Sequence, residues 1–288
     1  MPFLLLSLSV VLSTGRNLLS KKLSGVPFGT EAFFLCQAVL FLSGALSLLL
    51  FGGLSSWSIA PLSLIYAVIY GLLLLLAQWL YTAALARGNT ALCSTVYSLG
   101  FLLPTLSGAV LWSEPFSFLD GVGVLCAVGA VTCSGMRQRG EEKAGKARTF
   151  LPLLIAMLAS GGLGIVQKLQ QRSDFAEQKT LFLLVAFLFA AAVSLLFALG
   201  AKEKSAPPLR RSSFAVAAPI GVCFGCCNLL NTTLAGLLPG AVFFPTLNIG
   251  VIVLSMLAGV VFFKERLTKK EVLVLLLGGA SILLLNLG

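Results

Sequence analysis

From Pro2 to the C-terminus, one run of about twenty apolar residues follows another, with short polar breaks between them. Hydrophobic side chains make up 58% of the 288 residues and charged ones 10%. A single soluble core cannot hide that much apolar surface, so lipid is the expected solvent for most of these side chains. In hydrocarbon every backbone N–H and C=O needs a partner within the protein. Barrel strands would show alternating polarity, whereas these runs are solidly apolar, so the backbone closes its hydrogen bonds inside helices.

At 1.5 Å rise per residue, about 20 residues cross the hydrocarbon. Ten spans are expected: Pro2–Ser20, Ala32–Phe51, Ala60–Ala86, Ala91–Trp112, Phe118–Gly135, Phe150–Gln170, Thr180–Leu199, Phe214–Leu234, Ala241–Phe263 and Glu271–Leu287. Turn-forming residues punctuate them, among them Pro27, Gly52-Gly53, Gly88-Asn89, Pro115, Pro207-Pro208 and Pro239-Gly240. The start is apolar, with no basic region before Phe3–Val11 and no evident small-residue cleavage site. It is therefore read as a span and not as a signal peptide.

The chain carries 20 Lys and Arg against 10 Asp and Glu, and no His. The basic residues stand mainly between apolar runs, where positive charge on cytoplasmic loops explains them more simply than nucleic acid does. Without His, the usual acid–base groups, His-assisted nucleophiles and the commonest metal ligand are all missing. The seven Cys lie inside apolar runs and are odd in number, which argues against a disulfide framework. Cys223, Cys226 and Cys227 have no His or carboxylate beside them and read as small helix-packing residues. No catalytic residue, metal or cofactor is expected.

Five spans precede the polar stretch 137–149 and five follow it, giving one repeat over 1–136 and another over 150–288. Laid over one another in a constant register, the halves match Gly71 with Gly221, Gln78 with Asn228, Thr82 with Thr232, Gly100 with Gly250, and Gly129-Ala130 with Gly279-Ala280. A slightly shifted register matches Gly15 with Gly162 and Lys21 with Lys168 in the leading spans. An odd number of crossings per half turns the second half upside down relative to the first. Charge agrees with that. Odd-numbered loops carry Lys21, Lys22, Arg87, the basic groups of 137–149, Lys202, Lys204, Arg210, Arg211, Lys264, Arg266, Lys269 and Lys270; even ones carry Lys168, Arg172 and Lys179. Basic loops inside place both termini outside. The expected fold is an all-α integral membrane protein with ten transmembrane helices in two inverted five-helix repeats.

Several residues now resemble a family. The fourth and ninth spans each run into a Glu-containing turn, Leu111-Trp112-Ser113-Glu114-Pro115 and Phe262-Phe263-Lys264-Glu265-Arg266-Leu267. With the Gly-Ala pairs of the following spans and Gly15-Arg16-Asn17 in the first, they resemble the EamA-type members of the drug/metabolite transporter superfamily. The first turn has Pro115 where that family has Arg, and the first span lacks its usual Trp-Gly. The resemblance implies a carrier of small metabolites in the plasma or inner membrane, without implying which one.

Polar residues in mid-span mark either helix contacts or a pathway. Gln78, Tyr81 and Thr82 share one face of the third span; Asn228, Asn231 and Thr232 share the matching face of the eighth. Ser94, Tyr97, Ser98, Thr246 and Asn248 lie in the fourth and ninth spans, Arg16, Asn17, Gln167 and Lys168 in the first and sixth. Inverted repeats meet near the bilayer midplane, so the expected substrate-binding residues are Gln78, Tyr81, Tyr97, Asn228, Asn231, Asn248, Arg16 and Asn17. The competing reading is hydrogen bonding between helices with no ligand. Arg16, near the end of its span, either snorkels to the interface or grips a substrate carboxylate or phosphate. Pro104, Pro219 and Pro245 are expected to interrupt helices and allow hinging, the competing reading being a static kink satisfied by neighbouring helices.

No Asp or Glu lies deep in a span; Glu31, Glu114, Glu265 and Glu271 are at ends. Exchange of protons for lipophilic cations therefore lacks a carrier. The expected function is secondary transport, export or exchange, of a small polar metabolite such as an amino acid. The alternatives are broad drug efflux, a non-transporting scaffold, and a membrane-embedded transferase, for which Asp120 and Asp174 are the only Asp available. The expected partners are the substrate and the bilayer, with no nucleic acid, and pairing of two copies into a homodimer is left open.

Overall fold

A computed structural model of the chain describes residues 2–20, 31–53, 57–87, 96–135, 146–201, 211–263 and 269–287. Every regular element among them is helical. In chain order these are α1 (Pro2–Ser20), α2 (Glu31–Phe51), α3 (Pro61–Arg87), α4 (Leu102–Trp112, led in by a 3-10 turn at Leu99–Phe101) and α5 (Phe118–Gly135). The second half supplies α6 (Lys146–Gln171), α7 (Lys179–Gly200), α8 (Arg211–Leu237), α9 (Gly240–Phe263) and α10 (Lys269–Leu287). A helix overlaps each of the ten segments expected from the sequence. Among the described residues seven helices are long and apolar enough to cross a membrane, α1, α2, α3, α6, α7, α8 and α9, and they mark a multi-pass membrane protein. The apolar stretches Val96–Trp112, Phe118–Cys133 and Val272–Leu287 are shorter. Lys21, Lys22, Pro27, Gly88-Asn89, Ser94, most of the 137–149 linker, Pro207-Pro208 and the Glu265-Arg266-Leu267 turn lie outside the described residues.

The expected helix breaks at Pro219 and Pro245 do not occur. Both residues, like Pro152, lie inside continuous helices. Near Pro104 the helical run from Val96 is interrupted by the 3-10 turn Leu99–Phe101, from which α4 continues.

The helices divide into two compact units that do not coincide with the two sequence halves. The first comprises Met1–Thr14, Leu76–Ile165 and Leu234–Gly288; the second comprises Gly15–Leu75 and Val166–Thr233. The dividing points fall within α1, α3, α6 and α8.

In the first unit α5 packs along α10, and α9 packs on α4, α5 and α10. Its core holds Leu6, Phe101, Ala127, Ala130, Val131, Leu234, Phe243, Phe244, Ile249 and Val274. Small residues set the spacing. A Cβ on Gly123 would come within 2.7 Å of Leu285, and the Ser281 hydroxyl donates to the Gly123 carbonyl at 2.8 Å. In the second unit α2 packs along α7. Phe34 stacks on Phe197, and Phe41 meets Phe187 edge-on at 6.0 Å. Gly221 and Gly225 let α8 press onto α2: a Cβ there would strike the Leu40 carbonyl and Ser43 hydroxyl, or the Gly44 carbonyl and Ser47 hydroxyl. Cys227, between these contacts and Asn228, is buried.

Residues matched by the internal repeat make matched contacts. Within the second unit, Gly71 of α3 abuts the Ala186 carbonyl of α7, while Gly221 of α8 abuts the Leu40 carbonyl of α2. Within the first, Gly100 lies against Met157 of α6, while Gly250 lies against Val10 of α1. The helices that pair most extensively, α2 with α7 and α5 with α10, are likewise counterparts in the two halves.

Candidate functional site

Most polar side chains in the spans bond back to their own helix. Ser43 donates to Val39, Thr105 to Phe101, Ser194 to Ala190 and Thr233 to Leu229, each to a carbonyl one turn earlier. Such bonds satisfy the hydroxyl without joining helices. Some bonds do cross between helices, as Ser281 to Gly123 does in the first unit, and the longest series of them lies in the second unit. The Gln167 amide of α6 donates to the Tyr70 hydroxyl at 2.7 Å, and Tyr70 of α3 donates in turn to Asn228 Oδ1 of α8 at 2.5 Å. The Asn228 Nδ2 donates to the Phe224 carbonyl at 2.8 Å. Three helices are thus joined by one directed chain, and all three side chains are buried.

Tyr70 lies midway along the apolar stretch Pro61–Tyr81, so this chain is deep in the span. Hydrogen bonds between membrane helices contribute about 0.6 kcal/mol on average, and up to about 1.7. Removing one partner strands the others in hydrocarbon. Tyr70 packs its ring on Phe182 at 5.2 Å, which holds the hydroxyl in place.

Arg16 joins this group from α1. Its guanidinium lies 4.9 Å from the centre of the Phe224 ring, and it donates to Asn17 Oδ1 at 3.2 Å. Phe224 packs in turn on Phe41 and Phe187. The Arg16 side chain thus lies against α8. A cation at the centre of a span costs about 2.5 kcal/mol or more, and an aromatic face returns about 0.5–2 kcal/mol. Lys168, fully buried, occupies the last turn of α6, where a cation complements the helix dipole.

The expected site residues fall in both units. Arg16, Asn17, Asn228 and Asn231 belong to the second, and Gln78, Tyr81, Tyr97 and Asn248 to the first. Arg16, Asn17 and Asn228 share the cluster just described, with Asn17 at its exposed edge and Asn231 half-buried one turn beyond Asn228. In the first unit the Tyr81 and Tyr97 rings lie 4.4 Å apart, tilted by 33°, beside Leu153. Gln78 is half-buried, and Asn248 donates to the Phe244 carbonyl of its own helix at 2.9 Å. The Thr82 and Ser94 side chains lie outside the described residues.

Sequence reasoning missed Tyr70 and did not place Gln167 among the binding residues. A tyrosine hydroxyl within an unbroken apolar run needs a partner, and that was the available signal.

The Glu114 turn is also built from defined contacts. Ser113 ends α4 in a left-handed conformation, φ 49°, and Glu114 Oε2 accepts from the Gly240 N–H at 2.8 Å, capping the first turn of α9. Ser117 and Asp120 form a reciprocal capping box at α5, with bonds of 2.7 and 3.0 Å.

No protein-family model matches the sequence, and no curated protein matches it. Solved structures do. One, described only as "Crystal structure of protein", superposes with a TM-score of 0.76 over 99% of this chain and 98% of its own, at 18% identity. At that identity the likeness establishes a shared fold over the full length and nothing about activity.

Proposed function

We propose that this protein is a secondary transporter, an exporter or exchanger, of a small polar metabolite such as an amino acid, working by alternating access in the plasma or inner membrane. The observation that carries the proposal is the buried chain from Gln167 through Tyr70 to Asn228, with Arg16 over Phe224 beside it. A polar cluster with a cation deep in apolar helices is the arrangement expected of a solute pathway. Ten crossings in two inverted halves, as in EamA-type drug/metabolite transporters, account for the counterpart pairing of α2 with α7 and α5 with α10. They also account for the swapped glycine contacts of Gly71 with Gly221 and Gly100 with Gly250. No covalent chemistry is needed.

The test is transport by the purified protein in liposomes, over a panel of amino acids and other small metabolites. Accumulation of at least one solute above empty vesicles is expected. Failure of every solute to accumulate would overturn the proposal.

A further inference from the structure

Resting on the transport reading, we infer that the transported solute presents an amino group and that Gln167 Oε1 accepts a hydrogen bond from it. The direction of the buried chain is set at its far end. The Phe224 carbonyl can only accept, so the Asn228 amide turns its Nδ2 toward it, at 2.8 Å. That leaves Asn228 Oδ1 facing Tyr70, and the phenolic proton goes to it. A hydroxyl has one proton, so toward Gln167 the Tyr70 oxygen can only accept, and Gln167 supplies its Nε2. One backbone carbonyl thus orients two amides and a phenol. The free end of the chain is an acceptor, Gln167 Oε1, which has no hydrogen-bond partner among the described residues.

That oxygen is placed to meet a solute. Gln167 is 5% exposed, and Oε1 is not among the polar atoms buried without a partner, so the exposure that remains includes it. Side chains on a helix lean toward its N-terminus, and for Gln167, near the end of the apolar stretch Leu151–Gln171, that direction leads into the span. An acceptor in so apolar a setting calls for a donor. Every donor in the chain points away from Gln167 Oε1, so each bond polarises the next and the negative end lies at this oxygen. An ammonium group is donor only, and its charge makes the bond about twice as strong as one between neutral groups. A keto oxygen or a carboxylate has nothing to donate there. Two sources present such an amine, a small solute and the head group of phosphatidylethanolamine. A head group belongs at the interface, whereas Tyr70 lies midway along its span, so the solute fits.

The experiment compares uptake of three labelled solutes with one carbon skeleton, a 2-amino acid, its 2-hydroxy acid and its 2-keto acid. The liposomes are of pure phosphatidylcholine and of phosphatidylcholine with phosphatidylethanolamine. Wild type should favour the amino acid over the keto acid by about tenfold to a hundredfold in kcat/KM in both membranes, with the hydroxy acid between them. Gln167→Met, which keeps the length of the side chain without its acceptor, should bring the amino-to-keto ratio close to one. Tyr70→Phe keeps Oε1 but leaves its amide free to turn, and should lower the ratio only partly. Three results would overturn the inference while leaving transport itself standing: a keto acid carried as well as the amino acid by wild type, a ratio unchanged in Gln167→Met, or a Gln167 dependence seen only with phosphatidylethanolamine, which would assign the acceptor to lipid. Melting temperatures of the solute-free variants in detergent identify a Gln167→Met protein that fails to fold. In that case a ratio near one in wild type, or one unmoved in Tyr70→Phe, overturns the inference. Absence of any uptake overturns the transport reading and this inference with it.

Discussion

The two units solve the problem of living in lipid differently. The first is held by aliphatic packing and close glycine approaches, and its described polar groups mostly cap helix ends or bond within their own helix, as Glu114, Asp120, Thr105 and Asn248 do. The second also uses close glycines, but it threads a hydrogen-bond chain across three helices and holds a guanidinium against an aromatic cluster. Polar groups joined across helices cost desolvation that helix-internal bonds avoid. The contrast teaches that polar residues in a membrane bundle are not equal markers: those that leave their own helix carry the case for a site.

That contrast can be broken in steps. The largest effect is expected at Gly221, where an added side chain meets backbone carbonyl. Gly221→Val should destabilise the protein by at least about 3 kcal/mol, seen as loss of monodisperse protein in detergent. A fully folded Gly221→Val would show that α8 does not press onto α2 there.

Next comes the hydrogen-bond chain. Asn228→Ala and Tyr70→Phe should each weaken transport by about tenfold, since each strands a buried partner. Gln78→Ala, in the first unit, should weaken it less. Flux assays that find Asn228→Ala and Gln78→Ala both equal to wild type would remove the site assignment from both units.

Smaller effects are expected in the first unit. Glu114→Gln keeps an acceptor for the Gly240 N–H but removes its charge, and should lower stability by about 0.3–1 kcal/mol. Smallest of all is Thr246→Val. The Thr246 hydroxyl is buried without a hydrogen-bond partner, so its replacement by a methyl should be neutral or raise the melting temperature slightly. A marked fall in melting temperature on that change would show that the hydroxyl is engaged after all.

Much of this architecture was legible from residue order. α1 and α5 begin and end where the apolar pattern places them, and the others differ by a few residues at their ends, except that α4 starts at Leu102 after a 3-10 turn where the expected span starts at Ala91. Asn228 and Arg16 were also legible as sites of interest, because an amide or a cation inside an apolar run stands out. Tyr70 did not stand out, since a tyrosine is largely apolar and only its hydroxyl asks for a partner. At Pro219 and Pro245 the sequence left two readings, interruption or a helix carried through by its neighbours, and the helices continue through both residues.

What the sequence determined alone is the set of helices, because in hydrocarbon each backbone hydrogen bond must close within a few residues, and that is a local matter. What only the tertiary structure decided is which faces meet: Gly71 on Ala186, Gly221 on Leu40, Tyr70 on Asn228, and Arg16 on Phe224. A helix's periodicity defines a face but not its partner. The partner is chosen by shape and hydrogen bonding between segments more than a hundred residues apart in the chain.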